Sequence, residues 1–549
     1  MPPSTTGPLD VRRAGVLLHP TSLPSAYGAG DIGPWAYRFV DFLQAAGCTL
    51  WQVLPLVPTH PGDGSPYNAI SAMAGNPELV SLDRLAEWGL LTDDELTAVA
   101  AGRLGRPEAR TSAARRFTQA DGSQADETQA DDPQADAPDA SDPGADDPQG
   151  TRHQGNGLPR SSDRRGDGSG SRAEFRAWCA NQEWLEDYAR FVVLRRSLAD
   201  AAWAEWPAPL RDRDPAAMKE ALAPLEEELD VVRVEQWFFS RQWAELHRYA
   251  ADRGVLVFGD LPIFVSYDSA DVWNARDMFL LDDEGRPTTV TGVPPDYFSE
   301  DGQRWNNPHY DWEAMAQDGY TWWRRRVARQ RELFDVVRID HFRGFEASWH
   351  VPAGAETAKE GTWVQTPGSE VLAALVDASG PGTLVAEDLG TITTEVTALR
   401  LRFGLPGMVV LHFAFDGDDD NMYLPEHHEP LSVVYTGTHD NDTTVGWWSA
   451  LPEEGRKQVA QRLEVHDEPM PWALIRMALA SVGRLAVVPA QDLLALGSES
   501  RMNTPGTASG NWSWQSEPGD FDRSLAARLR ALVERYDRVG TVRTGPVAS

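Results

Sequence analysis

The chain has 549 residues, of which 41% are hydrophobic and 24% are charged, proportions that are ordinary for a soluble globular protein. No apolar run approaches the roughly 18 residues that a membrane-spanning helix requires. The formal net charge of −33 at pH 7 argues against a nucleic acid or another polyanion as a partner, because contacts to phosphates require clustered Lys and Arg.

The N-terminal segment, Met-Pro-Pro-Ser-Thr-Thr-Gly-Pro, lacks the basic and apolar regions of a signal peptide. The chain has two cysteines, Cys48 and Cys179, which are too few for a disulfide framework. The sequence therefore predicts a cytoplasmic protein. It gives no indication of the oligomeric state.

Eight short apolar runs predict strands that are covered on both faces. In chain order they are Gly15–His19, Leu50–Pro55, Val255–Asp260, Phe334–Asp340, Leu384–Glu387, Met408–Phe413, Ser432–Tyr435 and Leu485–Pro489. Helical periodicity lies between most of them, at Ala36–Ala46, Val231–Ala251, Trp312–Leu333, Glu395–Phe403 and Trp472–Val482. Eight buried strands alternating with helices predict a (β/α)8 TIM barrel, an α/β fold.

Long insertions follow the second and third predicted strands, and they set the domain organisation. The predicted parts are residues 1–60 with the first barrel strands, 61–110 and 173–230 as a helical insertion subdomain, 111–172 as a disordered insert, and 231–549 as the rest of the barrel, with a substrate-covering loop at 265–311.

The insert at 111–172 has an unusual composition. Between Asp121 and Gly150 there are ten acidic residues and no Lys or Arg, in a loose repeat of Ala, Asp, Pro and Gln. Such a segment cannot bury enough apolar surface to offset its ordering entropy, so it is predicted to be disordered.

Three carboxylate motifs follow predicted strands, and parallel barrels place their chemistry at this end of each strand. The motifs are Arg338-Ile-Asp340-His341, Ala-Glu387-Asp388-Leu-Gly and Thr-His439-Asp440-Asn. One such acid alone is more commonly a helix cap or a surface ion pair. Three of them, with Asp260 beside them, indicate cleavage of a glycosidic bond, in which one carboxylate attacks, one protonates the leaving oxygen and one stabilises the positive ring.

The chain resembles the 4-α-glucanotransferases of the amylomaltase, or disproportionating-enzyme, family (glycoside hydrolase family 77, in the α-amylase clan). The resemblance covers nearly the whole chain except the acidic insert. Besides the three acid motifs, the matching stretches are His19–Pro24, Gly28–Gly33, Ser65–Tyr67, Ala74–Pro77, Gly259–Val265, Gly292–Phe298, Gly497–Asn503 and Gly510–Trp512. This ordered set is highly specific, whereas any single stretch would be a weak signal.

The resemblance implies a role for each catalytic acid. Asp340 would be the nucleophile that forms a β-glucosyl-enzyme ester. Glu387 would be the general acid that becomes the base in the second half-reaction, and Asp440 would stabilise the transition state. The stereochemical outcome, retention of configuration, is implied by the family alone.

The resemblance also implies substrate-binding residues around these acids. Arg338 would keep Asp340 ionised, His439 would hydrogen-bond the sugar at the bond that breaks, and Tyr67, in the Ser65-Pro-Tyr67 stretch, would stack on that sugar. Asp260 would be a polar contact in the same pocket, and Ser65 is assigned to the same set. An isolated His or Tyr is more commonly a core residue.

Aromatic side chains are expected to shield the intermediate from water and to position an acceptor. The loop from Pro294 to Trp305 is the candidate cover, with Phe298 and Trp305 over the acceptor subsites, and Phe413 and Asn511 would add contacts. The family often has Gly at the position of Asn306. Because Asn tolerates a positive φ better than most residues, the loop is expected to keep its conformation.

No cofactor or metal is expected. Gly28–Gly33 fits a dinucleotide fingerprint but does not directly follow a strand, and Asp416–Asn421 lacks the Gly and Glu of a calcium loop. The expected enzyme moves α-1,4-glucan segments from a maltooligosaccharide to the 4-hydroxyl of an acceptor glucan or glucose. Two alternatives stay open: an α-1,4-glucan hydrolase of the amylase type, and a glucan-binding protein without turnover.

Overall fold

A computed structural model describes residues 7–60, 62–119, 172–295, 300–463, 468–507 and 509–540. The strands are β1 (Arg13–Leu17), β2 (Leu50–Gln52), β3 (Leu256–Pro262), β4 (Thr289–Val293), β5 (Gln303–Pro308), β6 (Val336–Asp340), β7 (Ala347–Pro352), β8 (Thr362–Gln365), β9 (Leu384–Ala386), β10 (Gly407–Val410), β11 (Ser432–Tyr435) and β12 (Leu485–Pro489).

The α-helices of the described residues are α1 (Pro34–Ala45), α2 (Leu82–Glu87), α3 (Asp93–Ala100), α4 (Arg106–Gln119), α5 (Arg172–Ala180), α6 (Leu185–Ser197), α7 (Ala208–Arg211), α8 (Pro215–Leu222), α9 (Glu226–Asp252), α10 (Ala270–Asn274), α11 (Trp312–Gln317), α12 (Thr321–Leu333), α13 (Gly368–Ser379), α14 (Thr394–Arg402), α15 (Thr444–Ala450), α16 (Glu453–Arg462), α17 (Trp472–Ala480), α18 (Ala490–Leu493) and α19 (Arg523–Arg535). None of these helices combines the length and the apolar character that crossing a membrane requires.

Eight parallel strands form the central barrel in the order β10-β11-β12-β1-β2-β3-β6-β9. The two ends of this sheet approach each other where the N–H of Ala386 donates to the carbonyl oxygen of Pro406, at 2.9 Å, just before β10. The prediction of a (β/α)8 barrel is confirmed, and each of the eight predicted barrel strands overlaps a strand of the structure.

The barrel strands are buried on both faces, and successive residues face different layers. In β12 all five residues are buried. Leu485 and Val487 belong to the cluster that fills the barrel, whereas Ala486 and Val488 pack in the layer between strands and helices. This alternation with a period of two explains why the strands read as continuous apolar runs.

A second sheet is antiparallel, with the order β5-β4-β7-β8. Its strand β5 carries Trp305, whose ring meets the ring of His341 edge-on at a centroid distance of 4.8 Å, directly after β6. The sheet therefore lies beside the barrel mouth. Asn306 in β5 adopts φ 65°, the left-handed conformation that was expected to be tolerated by Asn.

Helices α2 to α9 lie between β2 and β3. Both α4 and α6 pack against α9, a helix of 27 residues that continues across the division proposed between residues 230 and 231. The division of the chain into parts stays a proposal, and most of the acidic insert lies outside the described residues.

Two sequence-based expectations are wrong in detail. Residues 111–119 are not disordered but belong to α4, because Phe117 on its apolar side is 5% exposed and packs edge-on against Phe238. The helix expected at Trp312–Leu333 is divided into α11 and α12, since Gly319 and Tyr320 adopt φ 71° and φ 62° in succession.

Candidate active site

Three of the expected site carboxylates lie on adjacent barrel strands, β3, β6 and β9. Asp260 lies in β3 and is paired in register with Arg338 of β6. Asp340 is the last residue of β6, and Glu387 directly follows β9. The carboxyl ends of parallel strands meet at one barrel mouth, so the fold brings these three acids together.

Arg338 links two of the acids. Its guanidinium forms an ion pair with Asp260 and donates to an oxygen of Asp340 at 2.7 Å. Burial lowers the pKa of Arg338, but the carboxylates of Asp260 and Asp340 raise it, and the net result lies above the ordinary value. The arginine is therefore a permanent cation that lies between the buried Asp260 and the partly exposed Asp340.

Asp260 is fully buried beneath this ion pair. Tyr67 donates its hydroxyl proton to Asp260 Oδ2 at 2.7 Å, while Oδ1 of the same carboxyl is buried without a hydrogen-bond partner. Burial raises the pKa of Asp260, and the charge of Arg338 opposes that rise. Tyr67 thus connects the loop before the helical insertion to the floor of the site.

Glu387 is held by two backbone donors. The N–H of His341 donates to Oε2 at 2.7 Å, and the N–H of Leu389 donates to Oε1 at 3.1 Å. Burial and the negative charge of Asp340 raise the pKa of Glu387 to about 8, although Arg338 opposes the shift. Glu387 is therefore protonated at neutral pH, as a general acid must be.

Asp440 lies in the loop after β11. Asn503 donates its side-chain amide to Asp440 Oδ1 at 2.6 Å, and Arg501 donates to the backbone carbonyl of Asp440 at 2.6 Å. The other carboxylate oxygen lies 3.4 Å from Nε2 of His439. The Asp440 side chain is 45% exposed, so one side of it is open to a ligand.

Three aromatic rings pack against one another near Asp260 and Asp440. The rings of Tyr67 and His439 stack at a centroid distance of 5.1 Å and an angle of 14°. Trp512 lies 6.0 Å from each of them. Tyr67 therefore packs on the buried ring of His439, and the expected stacking of Tyr67 on a sugar stays a prediction.

The remaining residues that were expected to bind substrate make contacts within the protein. Ser65 accepts the N–H of Tyr67 at 3.3 Å and so shapes the turn that presents the tyrosine. Phe413 packs edge-on against Tyr423, with centroids 5.6 Å apart. Asn511 uses its side chain within its own loop, since its oxygen accepts the N–H of Thr504 at 2.9 Å. Phe298 lies outside the described residues.

Sequence reasoning did not single out four residues that the structure places in the site: His341, Arg501, Asn503 and Trp512. His341 adopts φ 51°, which directs its N–H to Glu387, and burial lowers its ring pKa to about 4. The others lie within the stretches Gly497–Asn503 and Gly510–Trp512, so the signal was present as motifs without assigned roles. Over the ranges that the structure describes, no group of three or more His, Cys, Asp or Glu could hold a metal ion.

A sequence profile described as 4-alpha-glucanotransferase, glycoside hydrolase family 77, matches residues 18–519. The chain belongs to this family. The 4-alpha-glucanotransferase of Thermus thermophilus is 44% identical over 537 residues, which cover 96% of this chain and 99% of that protein. The chloroplastic/amyloplastic 4-alpha-glucanotransferase of Solanum tuberosum is 41% identical over 549 residues, covering 97% of this chain and 87% of its own.

Solved structures agree with this family assignment. The amylomaltase from Streptococcus agalactiae, in complex with acarbose, has a TM-score of 0.83 at 30% identity and covers 96% of this chain and 99% of its own. The activity of this 4-alpha-glucanotransferase is transglycosylation, and neither a simple hydrolase nor a binding protein without turnover is favoured.

Proposed function

We propose that this 4-alpha-glucanotransferase transfers segments of α-1,4-linked glucans, from maltooligosaccharides to starch-like polymers, to the 4-hydroxyl of another glucan or of glucose. The names of the relatives and the acarbose bound by the amylomaltase support this substrate class. A neutral carbohydrate is also compatible with a net charge of −33, which would repel a polyanionic partner.

In the first half-reaction, a carboxylate oxygen of Asp340 attacks the anomeric carbon of the donor. Glu387 gives its proton to the glycosidic oxygen, the bond between that oxygen and the anomeric carbon breaks, and the leaving glucan departs with a new 4-hydroxyl. Asp440 stabilises the positive charge that develops on the ring. The observation that carries this assignment is the contrast between two neighbouring acids: Asp340 accepts a hydrogen bond from the guanidinium of Arg338 at 2.7 Å, while the pKa of Glu387 is raised to about 8.

In the second half-reaction, ionised Glu387 accepts the proton of an acceptor 4-hydroxyl. The acceptor oxygen attacks the anomeric carbon, the ester bond to Asp340 breaks, and Glu387 is protonated again. Two inversions at the same carbon give net retention. Trp305 packs against His341 at the barrel mouth, and its ring would exclude water and favour a sugar as the acceptor.

Incubation with maltotriose as the sole sugar tests the function. The expected products are a ladder of longer and shorter oligosaccharides plus glucose, with no change in the total of reducing ends. A rise in reducing ends with only shorter products contradicts transfer to sugars.

The variant Asp340→Asn tests the assignment of the nucleophile. It should lose nearly all turnover while retaining the fold, because the amide cannot form the ester. Full activity in this variant contradicts the role of Asp340, even if wild-type enzyme makes the ladder.

We further propose a cytoplasmic location. Its support is that Cys48 and Cys179 are both free thiols, as is usual in a reducing compartment. Fractionation of cells that express the chain is the test, and recovery outside the cytoplasm contradicts it.

A further inference from the structure

The loop that carries His439 and Asp440 begins and ends at a buried threonine. Thr436 directly follows β11, and Thr444 is the first residue of α15. Both are 0% exposed, in contrast to the partly exposed carboxylate of Asp440 between them. The position of Asp440 therefore depends on what fixes these two ends.

One carboxylate contacts both ends. Asp492 in α18, shortly after β12, is 1% exposed. Its Oδ2 accepts the hydroxyl protons of Thr436 and of Thr444, each at 2.6 Å, and its Oδ1 accepts the N–H of Thr444 at 2.7 Å. Three donors from the two ends of one loop thus meet on a single buried side chain.

We propose that Asp492 is a positioning residue for transglycosylation: with Thr436 and Thr444 it forms a clamp, the Asp492 clamp, that closes the loop and fixes Asp440 and His439 relative to Asp340. Asp492 itself does not touch substrate. This inference rests on the proposed role of Asp440 in stabilising the transition state.

The Asp492 clamp also reaches the loop that follows β10. Because the hydroxyl proton of Thr444 goes to Asp492, the Thr444 oxygen is left to accept the Nε2–H of His412, at 3.0 Å. His412 follows β10 and stacks on Trp447 at a centroid distance of 4.7 Å and an angle of 8°. Its Nδ1 side faces Gly437, where an added Cβ would lie 3.0 Å from that nitrogen. Asp492 thereby fixes the tautomer of His412 and its packing against the loop.

A carboxylate is required at this position for a chemical reason. It offers two acceptor oxygens and no donor, which matches three converging donors. An asparagine has the same shape but replaces one oxygen by an NH2 group. Where that group takes the place of Oδ2, both threonine hydroxyls must turn round and accept, which exchanges charge-assisted hydrogen bonds for weaker neutral ones and frees the Thr444 proton to point at His412. Asp492→Asn is therefore the smallest change that removes the charge of the clamp and reverses its hydrogen bonds while preserving the packing.

Steady-state kinetics on maltotriose provide the test. Asp492→Asn should lower kcat by about 100-fold, because a small displacement of a catalytic group has an effect of that order. The KM should stay within about threefold, since the donor contacts are retained. The control is Asp335→Asn, at the start of β6 and the opposite end of the barrel, where Asp335 accepts the N–H of Val257 at 2.8 Å. Its kcat should remain within about twofold of wild type.

Combination with Asp440→Asn separates positioning from a general loss of structure. If Asp492 acts through Asp440, adding Asp492→Asn to Asp440→Asn should lower the remaining turnover by less than about threefold. Multiplication of the two losses would overturn the proposal, as would a kcat within about threefold of wild type for Asp492→Asn alone. If Asp440→Asn alone keeps full activity, the proposed role of Asp440 fails, and the proposal that rests on it is overturned with it.

A milder variant covers the case in which Asp492→Asn does not fold. Thr444→Val keeps the shape of the side chain and removes the hydroxyl that joins Asp492 to His412. It should lower kcat about tenfold with KM unchanged and with the same non-additivity toward Asp440→Asn. Unchanged kcat in Thr444→Val, with the fold verified by circular dichroism, contradicts the clamp.

Discussion

The proposed role of Glu387 as general acid predicts that its protonation sets the upper pH limit of the reaction. Because burial and the charge of Asp340 raise its pKa to about 8, the proton needed by the leaving oxygen is present at neutral pH and lost above about pH 8. We expect kcat/KM on maltotriose to fall tenfold per pH unit on the alkaline side of that value. A pH–rate profile that stays flat to pH 10 contradicts the assignment, provided that circular dichroism shows an intact fold.

The same raised pKa makes folding stability depend on pH. The pKa of Glu387 rises from 4.5 to about 8 on folding, so the folded state binds the proton more tightly. The stability from this group is fully present below pH 4.5 and is lost as the pH rises toward 8. Glu387→Gln cannot ionise, so its Tm relative to wild type should rise between pH 5 and 8 and then level off. A Tm difference that is constant with pH would exclude a large pKa shift.

The hydroxyl group of Tyr67 contributes to stability separately from its aromatic ring. Tyr67→Phe keeps the stack on His439 and removes one of the two donors to Oδ2 of buried Asp260, which leaves Arg338 as the remaining donor while Oδ1 already lacks a partner. The expected loss is about 1–3 kcal/mol of unfolding free energy. Tyr27→Phe is the control, since Tyr27 donates to the partly exposed Asp83 at 2.7 Å and water can replace it. Equal losses in the two variants, measured by thermal denaturation, would contradict this account.

The proposed covering loop, from Pro294 to Trp305, is followed directly by an unusual backbone conformation in β5. Asn306 adopts φ 65°, a region that costs most other residues about 1–2 kcal/mol. We expect Asn306→Ala to lose about that amount and Asn306→Gly to be nearly neutral. Asn307→Ala, at the neighbouring position without positive φ, should change stability by less than about 0.5 kcal/mol. The ratio of transfer to hydrolysis should shift only in Asn306→Ala, and equal ratios in all three variants would contradict a role for this conformation.

Much of the element order could be read from the sequence, because each barrel strand is buried on both faces and so appears as a continuous apolar run. Helix ends were harder. The break between α11 and α12 needs a left-handed Tyr320, which no local preference demands. Residues 111–119 were assigned to the disordered insert because average composition hid the single apolar side of α4, on which Phe117 packs against Phe238.

Site residues in local sequence motifs could be predicted, whereas those that act through contacts distant in the sequence could not. Asp340 and Glu387 lie in motifs at strand ends, so the barrel alone is enough to bring them together, whereas Asp440 lies in the loop after β11 and is held by Arg501 and Asn503. The roles of Asn503 and Asp492 were not predicted. Each acts on a loop about 50 to 60 residues earlier in the chain, and such a contact exists only after β11 and β12 pair.

At the scale of the whole molecule, the acidic insert is expected to be dispensable. The acidic insert connects the end of α4 to the start of α5. At this junction Arg172 donates to the carbonyl oxygen of Phe117 at 2.8 Å. The two attachment points are therefore adjacent. Replacing residues 121–170 by a short Gly/Ser linker should leave kcat within about twofold of wild type and add up to about 2 kcal/mol of stability from easier loop closure.

A substitution in α4, next to that junction, should lower stability where deletion of the insert does not. Phe117→Ala removes a buried ring of α4 and should cost about 3 kcal/mol or more. Thermal denaturation and maltotriose turnover of both variants decide the matter. Loss of activity on deletion of 121–170, with the fold intact, would give the insert a function of its own.

The two ends of the barrel sheet, β9 and β10, meet at a seam where strand–strand hydrogen bonding is incomplete. At this seam Ala386 donates to Pro406, and the N–H of Met408 is accepted by the side chain of Asp388, at 2.7 Å, in place of a strand carbonyl. Asp388 is in turn paired with Arg400 at 2.9 Å. Because a side chain replaces part of the strand–strand hydrogen bonding here, we expect local opening of the barrel to occur first between β9 and β10. The amide of Met408 should then exchange its hydrogen for deuterium earlier than the amides of β1 or β12. Glu387 directly follows β9, so local opening would displace it as well.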